Sequence, residues 1–110
     1  MTDRATVIAD VTDVDIPHEG ILSGTLFRDG PIRVVRFAFD EGQELTEHTA
    51  TVPAIVQVVS GRLRVGAGGE EHVLEPGSWM HLPARMPHSV LAEAPSVLLL
   101  TMIRDGGGTT

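Results

Sequence analysis

Glycine and proline interrupt this chain so often that no long helix fits between them. They recur at Pro17, Gly20, Gly24, Gly30, Pro31, Gly42, Pro53, Gly61, Gly66, Gly68, Gly69, Pro76, Gly77, Pro83, Pro87 and Pro95. Proline removes a backbone donor and fixes φ, and glycine disfavours the middle of any regular element. Between these breaks lie short runs rich in β-branched and apolar residues. Short strands punctuated by turns at this spacing predict a sandwich or barrel.

The predicted strands cover residues 5–11, 21–28, 32–39, 52–59, 62–65, 70–74, 78–82, 88–92 and 97–103. Asp29-Gly30 is suited to a tight hairpin turn between the second and third. Residues 66–69 make a glycine-rich loop tip, and Pro76-Gly77 turns the chain again. Antiparallel strands this short must close or stack to cover their edges, so the fold class is all-β, an antiparallel jelly roll or barrel. One domain spans residues 1–104, and the Gly-Thr-rich residues 105–110 form a disordered tail. At 110 residues the chain has room for one modest core.

The charge balance narrows the partners. Fifteen acidic residues face eight basic ones, a net charge of −7. Such a surface repels phosphate backbones and anionic bilayers, so nucleic acid and membrane partners are not expected. Cysteine is absent, which excludes disulfides and thiolate chemistry. The acidic first fifteen residues hold no apolar signal-like run, and the longest apolar run, at 97–100, is far too short to span a membrane. The expectation is a soluble cytoplasmic protein. Residues 97–100 are apolar on both alternating faces, one for the core and one needing cover, so a two-fold homodimer is expected.

Two segments resemble the paired motifs of the cupin family, the RmlC-like jelly rolls. The first is Gly42-Gln43-Glu44-Leu45-Thr46-Glu47-His48, continuing through Ala50, Ala54 and Val58 to Gly61. The second is Pro76-Gly77, then Leu82-Pro83, then Pro87-His88. The likeness covers about residues 32–103. It implies a small single-domain cupin barrel whose interior carries the site. In metal-binding cupins the first motif supplies two histidines and a glutamate, and the second another histidine. Here only His48 and His88 match. Ala50 stands at the second histidine's place and Ala54 at the glutamate's, while Arg85 replaces a glycine and Ala92 an asparagine of the second motif.

The resemblance therefore implies an incomplete metal site. Imidazole suits zinc, copper, iron and nickel, and manganese is a further candidate. A catalytic zinc site normally has three protein ligands, so two histidines give weak or substoichiometric binding. His81 completes the site if the 78–82 strand turns it inward with Trp79; if that face is outward, it is a surface histidine. Alternation from Ala54 turns Val56 and Val58 inward and Gln57 away. Glu44 and Glu47 are expected on a loop, in solvent. Ala50, Ala54 and a last-strand residue such as Thr101 are expected beside His48 and His88. Trp79, Phe37, Phe39, Met80 and Met86 read as core, and Arg36 or Arg85 as alternative carboxylate binders.

Two function classes follow. One is metal-dependent chemistry on a small molecule. The other is a binding or sensing module, because alanine at two ligand positions leaves a larger and drier cavity with two imidazoles to orient a ligand. Metal-free acid–base catalysis ranks below both, since no carboxylate is placed to orient a histidine.

Overall fold

The computed structural model describes residues 4–104. Among these it contains nine strands and no helix. They are β1 (Ile21–Asp29), β2 (Ile32–Phe39), β3 (Glu44–His48), β4 (Ala54–Ser60), β5 (Leu63–Ala67), β6 (Glu70–Leu74), β7 (Trp79–Leu82), β8 (His88–Ala92) and β9 (Ser96–Ile103). One sheet has the order β1-β2-β9-β4-β7 and the other β3-β8-β5-β6, antiparallel throughout. The all-β jelly roll expected from the punctuation is what forms. The described residues contain no helix long and apolar enough to cross a membrane.

Turn chemistry explains the punctuation. Gly68 and Gly69 join β5 to β6 with φ of 60° and 87°, values that ordinary side chains resist. The β1–β2 hairpin turns on Gly30-Pro31, one residue later than Asp29-Gly30, because Asp29 still pairs with Ile32. Gly30 takes the positive φ and Pro31 supplies the fixed negative one that follows.

Two strand expectations change. Residues 5–11 form no strand; they run as irregular chain, and Thr6, Ile8 and Val11 border an open hollow together with Leu26, Phe27, Val34 and Leu99. Their alternation is weak, and no strand edge pairs with them. Residues 44–48, expected as loop, are β3. The charged Glu44 and Glu47 hid a strand that buries only one side chain partway, Leu45. The tail expected at 105–110 lies outside the described residues.

The core sits between the sheets. Phe39, Val58, Leu63, Leu74 and Ala92 fill one end of the barrel, each at most 8% exposed. Each comes from a strand that alternates inward and outward, so a single apolar residue every second position suffices. Burial of each of the larger ones, Phe39, Val58, Leu63 and Leu74, contributes about 1.5–3 kcal/mol, and of Ala92 less. Trp79, expected in the core, is 60% exposed. It shares the outer face of β7 with His81, while Met80 and Leu82 take the inner one.

Candidate functional site

The opposite end of the barrel is hollow. A cavity of about 270 Å³ opens between the sheets, walled by Val35 and Phe37 from β2, Ala54 from β4, Leu82 from β7, His88 from β8, and Leu100 and Met102 from β9. His48 and Ala50 close its side, with Ser23 and Arg33 also on its wall. A smaller hollow of about 50 Å³ continues inward, sharing Phe37, His48, Leu82, His88 and Leu100. This space exceeds the ~150 Å³ that accommodates benzene in a protein interior.

His48 and His88 are directly opposed across β3 and β8, and their ring centroids lie 4.3 Å apart at 62°. A β-bulge makes this possible. Leu45 pairs with Val90 and His48 with His88, so Thr46 and Glu47 together oppose the single residue Ser89. Without the extra residue, strict alternation from Leu45 would turn Glu47 inward and His48 out.

The same local device orients both rings. His48 Nδ1 lies 2.8 Å from the Thr46 carbonyl oxygen, and His88 Nδ1 lies 2.9 Å from that of Met86. A carbonyl only accepts, so each neutral imidazole carries its proton on Nδ1 and donates it. Each Nε2 then keeps its lone pair and has no protein partner among the described residues. An imidazole held this way is the usual form of a metal ligand, and equally of a fixed hydrogen-bond acceptor.

The donor set is short of a resident metal. Among the described residues no group of three or more His, Cys, Asp or Glu converges. Ala50 and Ala54 line the cavity beside the histidines, so the wall positions exist but carry methyl groups. His81 does not join them. It is exposed on the outer face of β7, paired with Ile55 across β4, because Met80 and Leu82 occupy the inner face. Thr101 is also turned away. Leu98, Leu100 and Met102 are the inward residues of β9, and alternation leaves Thr101 on the outside. Gln57 is exposed, as alternation from Ala54 requires.

Arginine placement differs too. Arg36 sits on the outer face of β2, where Nη1 donates to the Asp13 carbonyl at 3.4 Å. Arg33, three residues earlier and not singled out in the sequence, is the one on the cavity wall. The signal was the alternation Arg33, Val35, Phe37, Phe39 along β2, which shares one face. Arg85 occupies the left-handed region with φ of 65°, and its N–H donates to the Ala50 carbonyl at 2.6 Å. The backbone there retains a glycine's conformation under a side chain. His18 is 90% exposed beside Glu19 and Asp40, and His72 sits near Glu70, both on the surface.

Comparison with known proteins agrees with this fold. A conserved protein of unknown function from Streptococcus pyogenes, SPY1581, is 28% identical and superimposes with a TM-score of 0.82, over 94% of this chain and 91% of that one. KdgF from a Halomonas species is 25% identical, with a TM-score of 0.78, over 92% and 95% of the two chains. A cupin superfamily protein from Desulfitobacterium hafniense, DSY2733, shares 15% identity and the fold alone, with a TM-score of 0.82 over 96% and 94%. No curated protein matches the sequence. The sequence profile of the cupin domain matches residues 35–103, which takes in both opposed histidines and the cavity walls between them, and the chain belongs to the cupin domain family.

Proposed function

We propose that this cupin binds a small organic molecule in the open end of its barrel, with His48 and His88 as its fixed hydrogen-bond acceptors. One observation carries the reading. Both imidazoles are pinned through Nδ1 to backbone carbonyls and present a free Nε2 at a cavity walled mainly by apolar residues such as Val35, Phe37, Leu82, Leu100 and Met102, with Ser23 and Arg33 the other polar side chains on it. Apolar walls with a few oriented polar groups are the general make-up of a ligand site. The two acceptors select a ligand carrying hydroxyl or N–H donors.

A second reading is a labile divalent cation on the two Nε2 atoms. Their lone pairs favour it, and the missing third ligand makes it weak. The metal would supply Lewis acidity at the cavity; His48 and His88 would hold it. Calorimetric titration with zinc separates the two. The wild type is expected to bind weakly or not at all, and Ala50→His with Ala54→Glu to bind at least ~100-fold more tightly, since donors return to a formed wall. Tight binding by the wild type would replace the ligand-pocket reading with a metal centre.

The reading extends to assembly as a two-fold homodimer, though not through residues 97–100 as expected, since Val97 and Leu98 are already 2% and 3% exposed within one chain. Ile32, Trp79 and Ile103 are exposed large apolar residues, and Ile32 pairs with Ile103. A chain that sediments as a monomer at micromolar concentration contradicts it.

A further inference from the structure

Three arginines gather at the rim of the cavity, and among the described residues no carboxylate pairs with them. Arg28, Arg33 and Arg104 line a hollow of about 140 Å³ together with Pro31 and Met102. Arg33 and Met102 also line the barrel cavity, so the two spaces adjoin. The setting is unusual in a chain of net charge −7. Arg62 and Arg64 are both ion-paired to Glu93, whereas none of these three forms an ion pair among the described residues.

The placement works against stability. Arg28 and Arg33 are direct cross-strand partners, and like charges facing each other across a ladder repel. The N–H of Arg104 donates to the Pro31 carbonyl at 2.7 Å, which fixes its backbone beside the same hairpin turn. Arg33 is pre-oriented as well. Its Nε and Nη2 donate to Thr25 Oγ1 at 3.1 and 3.0 Å, a neutral acceptor that leaves the charge and the Nη1 donors free. A guanidinium held in one plane is suited to two-pronged recognition of an oxyanion.

We infer that the ligand of this cupin is an anion, its carboxylate or phosphate held by Arg28, Arg33 and Arg104 while its uncharged body enters the barrel toward His48 and His88. This rests on the ligand-pocket reading for the body of the molecule, but the anion site stands or falls separately. The repulsion between Arg28 and Arg33 is relieved when the oxyanion binds, so the charge placement that weakens the empty protein strengthens the complex.

The test follows arginine Nε–Hε and backbone amide signals by NMR during titration with three probes. These are inorganic phosphate, cyclohexanecarboxylate and the uncharged cyclohexanecarboxamide. Phosphate or the carboxylate is expected to shift the Arg33 signal, and which of them binds more tightly identifies the anionic group. A charge-assisted pair is worth about tenfold or more, so the carboxylate should bind about tenfold more tightly than the amide, and Arg33→Gln should erase that advantage. The amide, which carries no charge, should lose much less affinity than the carboxylate in Arg33→Gln. Absence of any arginine shift with either anion, or equal affinity for carboxylate and amide, overturns the inference. Shifts of the Leu100 and His88 amides report the barrel independently. If they respond to the amide alone, the pocket reading stands without the anion site; if only arginine signals respond, the anion site stands without the pocket.

Discussion

The two ends of this barrel share strands β2, β4 and β8 and the same alternation, yet one is filled and the other is not. At the packed end, inward positions of β2, β4, β5, β6 and β8 carry Phe39, Val58, Leu63, Leu74 and Ala92, all buried. At the open end, the inward positions of β2, β4, β8 and β9 carry Val35, Ala54, His88, Leu100 and Met102 around a cavity of about 270 Å³. Shifting from Phe39 to Val35 on one strand, and from Val58 to Ala54 on another, is enough to exchange core for cavity. Stability is concentrated at one end, which leaves the other free to carry polar groups that a packed core would exclude.

The largest effect should come from breaking the packed end. Phe39→Ala is expected to lower unfolding free energy by about 3–5 kcal/mol in urea denaturation, because Phe39 is fully buried. A similar change at the open end, Leu100→Ala, should cost clearly less, since Leu100 already borders empty space. Equal losses would mean that the two ends share the load.

Gly61 gives the next effect. It has φ of 84°, and a Cβ there would overlap Ser96 Oγ and the Pro95 carbonyl oxygen. Ser96 is itself buried and accepts a hydrogen bond from the Arg62 N–H at 2.8 Å. Gly61→Ala should therefore destabilise by about 2–4 kcal/mol, combining backbone strain with overpacking. A change below about 1 kcal/mol would show that the β4–β5 turn can move to accept the methyl group.

Filling the two ends sharpens the comparison further. Ala92 is 1% exposed in the packed end and Ala54 is 6% exposed beside the cavity. Ala92→Leu should cost about 1–3 kcal/mol by overpacking, whereas Ala54→Leu should change stability by less than about 1 kcal/mol. The second variant should also abolish binding of cavity ligands. Similar penalties for both would mean that the hollow collapses in solution.

The smallest effect is on acid stability. Hydrogen bonds from Arg64 and Arg62 hold the Glu93 carboxyl below its usual range. Backbone donors from Glu19 and Glu41 do the same for Asp40. A carboxyl depressed in the folded state stabilises above its unfolded pKa and loses that contribution as pH falls through the folded value. Glu93→Gln should therefore flatten the loss of thermal stability on acidification, with little change in ligand binding at the far end. An unchanged acid limb would remove Glu93 from this role.

Most strands could be read from the sequence because they are separated by glycine and proline turns whose geometry few other residues accept. The cavity could be read in part. His48, His88, Ala50 and Ala54 are all on its wall, as the paired motifs implied. Thr101 and His81 were not separable from their neighbours, because facing depends on register and a shift of one residue inverts it. Leu100 and Met102 line the wall instead of Thr101, and His81 faces solvent with Trp79. The bulge at Thr46-Glu47 is invisible to periodicity, yet it is what turns the exposed His48 toward the cavity mouth, opposite His88. Arg33 escaped notice because charge at a strand end reads as solvated until the cross-strand partner is known.

The central claim is that the open end presents two pinned imidazoles whose Nε2 atoms accept from a ligand. It is tested most directly by long-range proton–nitrogen NMR of the neutral His48 and His88 rings, before and after titration with a cavity ligand bearing a hydroxyl donor. The account predicts the Nδ1–H tautomer for both rings in the free protein, with Nε2 alone shifting when the ligand binds. An Nε2–H tautomer at either ring, or a ligand that fills the cavity without moving either Nε2 signal, would contradict it.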